Sequence, residues 1–220
     1  MSFDAYIFDL DGTLLDTLAD LHATANHALE VEGFPPRTLA EIKTFVGNGA
    51  LALMWRAVPE GTPQEIVDHA YQVFTDSYEE YGMSLATAYE GIEDVLAELK
   101  ARGKKIGVVS NKFDRGVKLV VEKHLPDYVD FALGESPTTP RKPDPTGLLH
   151  CAEVLGVAPE RCAYFGDSAS DMRAAHNAGM YAVGVTWGFP TLEQLNEGNP
   201  DRLVDTTCEI LDLEIPDLEK

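Results

Sequence analysis

Apolar residues gather in short runs at positions 5–10, 106–110, 131–133, 162–166 and 181–185, and after each run they recur every three or four positions instead. Runs of that length read as strands and the longer period as helix, so the alternation predicts a doubly wound α/β fold with a parallel sheet and crossover helices. Residues 91–102 show one unit closing into the next. Ile92, Val95, Leu96 and Leu99 share a helical face, and Gly103 ends it just before the second strand. About 95 residues separate the first two runs with no strand pattern, far more than a crossover needs. An inserted helical unit is therefore expected. Leu18, Leu21, Ala25, Ala28 and Leu29 form one apolar stripe in it, while Thr38 with Glu41 and Thr62 with Glu65 have the spacing of capping boxes that start two further helices. Ile66, Ala70, Val73, Phe74, Ser77, Tyr78 and Tyr81 give the longest helix its face, and residues 33–36 and 47–49 are breaks.

Charge changes the picture. The chain of 220 residues carries a formal charge of −20, which argues against nonspecific binding to nucleic acid or anionic lipid. Ten of the seventeen Lys and Arg residues fall between Lys100 and Lys142, whereas residues 1–99 hold only Arg37, Lys43 and Arg56, so the insertion is acidic. Cys151, Cys162 and Cys208 lack any CxxC spacing and are expected to be buried, reduced thiols. No uncharged apolar run approaches the roughly 18 residues of a membrane span, and no basic stretch opens the chain, so a cytoplasmic location is expected.

In a doubly wound sheet, ligands bind beyond the carboxyl ends of the strands. The first run leads into Asp9, Asp11, Gly12 and Thr13; the second into Ser110, Asn111 and Lys112; the fourth into Asp167 and Ser168, with Asp171 beyond. Lys142 lies in a Pro-rich approach to the helix before the fourth run. Asp9 and Asp11 at one strand mouth would repel unless a cation intervenes, and an all-oxygen set with Asp167 and Asp171 favours Mg²⁺ over zinc. Gly12 permits a sharp turn, and Thr13, Ser110 and backbone N–H groups suit phosphate oxygens. The six histidines show no ligand spacing and read as structural or surface residues, and Trp55 and Trp187 as packing residues.

Taken together, residues 8–14 (FDLDGTL), the distant Ser110 and Lys142, and residues 166–171 (GDSASD) resemble the haloacid dehalogenase superfamily of phosphohydrolases, with all four motifs in order over nearly the whole chain. The resemblance implies a Rossmann-like core from residues 1–14 and 88–220 and a C1-type helical cap from residues 15–87. It implies that Asp9 attacks phosphorus to form an aspartyl phosphate, and that Asp11 protonates the leaving alcohol and then activates water. Mg²⁺ would be held by Asp9, the backbone carbonyl of Asp11 and Asp167, with Asp171 orienting the metal shell. Lys142 would pair with Asp9 and the phosphoryl oxygens, and Ser110 would donate to the same group. Residues 46–50 and 109–112 further resemble the bacterial phosphoglycolate phosphatase group.

That group makes 2-phosphoglycolate the first substrate to consider. A planar guanidinium or an ammonium suits its carboxylate, so Lys112 and Arg56 are the expected contacts, with Asn111 and the backbone of Gly47, Asn48 and Gly49 assisting. Residues 47–49 read equally well as a plain interhelical turn, and Lys43 and Arg56 as exposed helix charges. A sugar-phosphate phosphatase or a β-phosphoglucomutase-like phosphotransferase shares these motifs. Dehalogenation is disfavoured by Asp11, and a noncatalytic regulatory module by the retention of Asp9, Asp11, Lys142 and Asp167. The expected partner is a small phosphorylated metabolite, with no nucleic acid or membrane, bound by a monomer or homodimer. Hinges are expected near residues 14–17 and 85–90.

Overall fold

The computed structural model describes residues 2–215. Its main sheet has six parallel strands: β1 (Ala5–Phe8), β4 (Lys105–Phe113), β5 (Phe131–Glu135), β6 (Cys162–Gly166), β7 (Tyr181–Val185) and β8 (Arg202–Val204), with β2 (Leu15–Asp16) and β3 (Thr87–Ala88) forming a separate ribbon. Spatial order is β5-β4-β1-β6-β7-β8. Winding therefore reverses at β1, where Phe8 pairs with Val108 on one side and Phe165 on the other. The carboxyl ends of β1, β4 and β6 converge at that switch point.

Every residue of β1 and β6 is buried, as both-face cover requires. Alternate residues divide between two apolar clusters. Tyr6, Phe8, Ile106, Val108 and Phe165 face α5 (Ile92–Ala101) and α6 (Asp114–His124), with Phe8 stacked on Phe165 at 4.7 Å. Ala5, Ile7, Val109, Cys162 and Tyr164 face α7 (Thr146–Leu155) and α8 (Ala169–Asn177). A short α9 (Leu192–Asn196) precedes β8.

The stretch between β1 and β4 is helical: α1 (Leu18–Val31), α2 (Leu39–Phe45), α3 (Gly49–Ala57) and α4 (Gln64–Tyr81). Its interior, including Leu21, Ala25, Phe74 and Tyr78, is continuous with the Phe8 side of the core. Its two connections pair as an antiparallel ribbon of β2 (Leu15–Asp16) and β3 (Thr87–Ala88), extended by Tyr89 N–H donating to the Leu14 carbonyl at 3.1 Å. Asp20, wholly buried in the first turn of α1, accepts from the backbone N–H groups of Ser84, Leu85 and Ala86 at 2.8–3.1 Å. One carboxylate thus ties both connections together.

Several expectations need correction. Thr38 and Glu41 form the capping box, but Thr62 does not cap α4. Its N–H and hydroxyl are both turned back to the Pro59 carbonyl, and Pro63 occupies the cap position. Residue 67 replaces residue 66 on the buried face of α4. The first strand ends at Phe8 rather than residue 10, and β8 was unexpected, because three residues of mixed polarity at a sheet edge carry no periodic signal. Cys151 and Cys162 are buried but Cys208 is exposed, and Trp55 is 44% exposed rather than packed. No described helix is long and apolar enough to cross a membrane.

Candidate active site

The turn after β1 is set by hydrogen bonding and by one glycine. Asp9 N–H donates to the Phe165 carbonyl at 2.8 Å, and Gly12, at φ +83°, donates to the Leu15 carbonyl at 2.9 Å. A Cβ on Gly12 would lie 2.2 Å from Asp167 Oδ2, so close approach as well as backbone conformation excludes a side chain there. Trp187 Nε1 donates to the Thr13 carbonyl at 3.1 Å, pinning the far side of the turn. Across the switch point, Asn111 Oδ1 accepts from Lys142 N–H at 2.8 Å and fixes the Pro-rich loop to the end of β4.

Lys142 is the hub of the floor. Its ammonium lies 3.0 Å from Asp9 Oδ1, and it donates to Asp171 Oδ1 at 2.6 Å, Tyr164 Oη at 2.8 Å and the Val109 carbonyl at 3.2 Å. Asp171 Oδ2 is taken up in capping α8, accepting from Ser168 N–H and Oγ. Asp167 Oδ2 accepts from Phe189 N–H at 2.9 Å, with Gly188 packed so closely that a Cβ would lie 2.2 Å from Asp167 Cβ.

The charges do not balance. Asp9, Asp167 and Asp171 are buried, with carboxylate oxygens within 4.8 Å of one another, around a single lysine. Burial pushes the Asp9 carboxyl up to about 6 against the pull of Lys142, with Asp171 and Asp11 adding to the rise. Asp167 is driven well above the carboxylate range by burial and then by Asp171 and Asp9. Burial opposes the charge on Lys142, but Asp171 and Asp9 outweigh it and raise its value. Asp9 Oδ1 is buried in its ion pair with Lys142 but makes no well-aligned hydrogen bond, and Thr13 Oγ1 is buried with no hydrogen-bond partner among the described residues. A surplus of hard oxygen donors with unused capacity fits a hard divalent cation. Asp9 and Asp167 have that capacity, whereas both oxygens of Asp171 are already engaged.

A cleft of about 790 Å³ opens over this floor. Asp9, Asp11, Ser110, Lys142 and Asp167 line its base, and Val46, Gly47, Asn48 and Gly49 its roof. The roof is tied down by Arg141, which donates to the Asn48 carbonyl at 2.7 Å and pairs with Glu135 at 3.0 Å. Gly49, at φ +78°, brings its backbone against the Asn111 carbonyl.

Of the cations expected to meet substrate, Lys112 lines the cleft and Arg56 does not, and both are engaged within the protein. Lys112 is 3% exposed and donates to both Asp11 oxygens at 2.8 Å. Arg56 does not line the cleft; it donates to the Phe45 carbonyl at 2.7 Å and holds the loop before α3 from behind. Arg37 is spent on the Ala57 and Val58 carbonyls, and Lys43 alone among the insertion's three cations lines the cleft. Sequence reasoning missed Phe189, Gly188, Tyr164 and Thr17. Residues 187–190 follow a strand end, so the rule that found the other loops would have flagged them, and Tyr164 was the one hydroxyl inside the fourth apolar run.

This fold and site define a class. The model of the haloacid dehalogenase-like hydrolases matches residues 6–185, and the chain belongs to that family. Among its relatives, the chain is 36% identical over 214 residues to the phosphoglycolate phosphatase of Psychrobacter arcticus, covering 94% of this chain and 93% of that one. It is 35% identical to the phosphoglycolate phosphatase of Chromobacterium violaceum, covering 95% of each. The crystal structure of a predicted phosphoglycolate phosphatase from Haemophilus somnus superposes with a TM-score of 0.87 at 29% identity, covering 96% of this chain and 98% of that one. The chain is thus a hydrolase that stands among enzymes named as phosphatases.

Proposed function

We propose that this hydrolase is a Mg²⁺-dependent phosphomonoesterase that converts 2-phosphoglycolate to glycolate and phosphate in the cytoplasm, with residues 1–14 and 88–220 as core and 15–87 as cap. The observation that carries the chemistry is the placing of Asp9 and Asp11 on one turn, with Lys142 beside the first and Lys112 on the second. The curated relatives point to the substrate.

In this reading an Asp9 oxygen attacks phosphorus as the bond to the leaving oxygen breaks, and Asp11 gives that oxygen a proton. Water then attacks phosphorus, Asp11 takes a proton from it, and phosphate departs with Asp9 restored. Lys142, Ser110, Thr13 Oγ1 and the Gly12 backbone hold the phosphoryl oxygens. Asp9, the Asp11 carbonyl and Asp167 hold Mg²⁺, which when bound neutralises charge between nucleophile and phosphate. Asp171 orients Lys142 and the metal-binding loop through its engaged oxygens. The glycolate end faces Asn111 and the backbone of residues 47–49. Arg56 acts through the loop it supports.

The test is phosphate release from a panel of phosphorylated metabolites, with and without chelator. We expect 2-phosphoglycolate to lead by kcat/KM and chelation to abolish turnover. A sugar phosphate in first place, or a bisphosphorylated sugar as product, would overturn the substrate assignment.

A further inference from the structure

Tyr78 belongs to the insertion, near the end of α4, where its ring lies 6.0 Å from that of Phe74 on the same helix, yet it also reaches two residues of the core. It is 1% exposed, and it meets Phe113 edge-on with centroids 5.2 Å apart and planes at 90°. The Lys112 ammonium sits over its face, 4.9 Å from the centroid. Gly82 makes room, since a Cβ there would fall 2.5 Å from Cδ2 and Cε2 of the ring. The Tyr78 hydroxyl is buried and makes no well-aligned hydrogen bond, although it interacts electrostatically with the same ammonium, so Tyr78→Phe separates what the ring contributes from what the hydroxyl does.

The same ammonium donates to both oxygens of Asp11 at 2.8 Å, and Thr17 Oγ1 donates to Oδ1 at 2.6 Å. Oδ1 thus accepts two donors and Oδ2 one, which leaves Oδ2 with the greater unused capacity. A branched aliphatic residue would keep apolar contact under Lys112, with only a small void where the ring ended. What the ring adds is a negative face for an ammonium almost wholly removed from water, whose other described partner is Asp11. Without it the ammonium gains by turning toward solvent, and Asp11 loses the fork that fixes its orientation.

We infer that Tyr78 is a positioning residue for Asp11, acting through Lys112: its ring keeps the ammonium seated on the Asp11 carboxylate. The inference rests on the reading that Asp11 exchanges protons with the leaving oxygen and with water. It also means that the insertion, besides covering the cleft, supplies part of the support for the acid–base residue.

The experiment compares Tyr78→Phe, Tyr78→Leu, Lys112→Met and the double variant Tyr78→Leu/Lys112→Met on 2-phosphoglycolate and 4-nitrophenyl phosphate. We expect Tyr78→Leu to lower kcat on 2-phosphoglycolate by about tenfold while KM moves by less than about twofold. On 4-nitrophenyl phosphate, whose good leaving group needs little protonation, the loss stays below about threefold. Tyr78→Phe keeps the ring and stays within about twofold of the parent on both. The double variant is no worse than Lys112→Met, because the ring acts only through that ammonium. Equal losses on the two substrates, failure of Phe to preserve activity, or additive losses in the double variant would overturn the inference. Should Tyr78→Leu not fold, Tyr78→Met fills the same space with a flexible chain and carries the same expectation. No turnover of either substrate by the parent enzyme would sink the phosphatase reading, and this inference with it; turnover with evenly spread losses would sink the inference alone.

Discussion

Asp9 carries a conflict between folding and chemistry. Its buried carboxyl is pushed up to about 6, mainly by desolvation, with Lys142 pulling the other way. A carboxyl whose folded value lies above its unfolded one contributes stability below the ordinary carboxylate range and loses it as pH rises through about 6. Asparagine cannot ionise. Asp9→Asn is therefore expected to abolish turnover and yet stabilise the chelated protein, by on the order of 1 kcal/mol at about pH 8 and by nothing near pH 4. Urea unfolding at the two pH values checks this, and a variant less stable than the parent at the higher one would show that the pairing with Lys142 outweighs burial.

Among elements, the join of α5, β4 and β5 depends on one side chain. Asp130 Oδ1 accepts from Lys100 at 2.6 Å and Oδ2 from Ile106 N–H at 2.8 Å, while its own N–H donates to the Ile106 carbonyl at 2.8 Å. Burial works against the charge, but the Lys100 hydrogen bond and the Ile106 N–H outweigh it and hold the carboxyl below its usual value. A depressed value means stability that is present above the unfolded value and lost as pH falls through the folded one. Asp130→Asn should cost about 1 kcal/mol near neutrality, and the gap should close in strong acid, where the parent's carboxyl is protonated too. A gap that persists in acid would show that shape rather than charge makes the join.

For the whole molecule, the insertion meets the core through a short ribbon, an apolar seam that sets Tyr78 against Phe113, and a few polar ties, chiefly Arg141 to the Asn48 carbonyl, Arg115 to Glu79 and Lys123 to the Met83 carbonyl. The polar tie over residues 46–50 can break and reform as the roof opens to admit substrate and closes to exclude water, with the ribbon as the flexing element. Adding a phosphate mimic with Mg²⁺ should slow amide exchange at residues 46–50 by about tenfold or more, and leave β1 and β6 unchanged. Equal exchange in both states would argue for a fixed roof.

The chain's own order of residues determined the sheet, the insertion and most of the floor of the site. Runs of buried strand are apolar on both faces, and the loop chemistry of residues 9–13 and 166–171 is local, so both are legible without knowing what lies opposite. Which donor satisfies which buried carboxylate is decided only when distant segments converge. Lys112 reads as a substrate contact and does line the cleft, but only the fold shows that its ammonium is seated on both oxygens of Asp11, 101 positions away. Arg56 faces the loop behind the cleft because the Phe45 carbonyl is within its reach there. Thr62 fits a capping pattern, but the turn at Pro59 claims its hydroxyl first. Tyr78 is indistinguishable from its apolar neighbours on α4 until the fold sets it under an ammonium. Periodicity records which side of an element is buried; the partner met on that side is a property of the assembled structure, because a buried polar group bonds to whatever donor or acceptor the packing brings within about 3 Å.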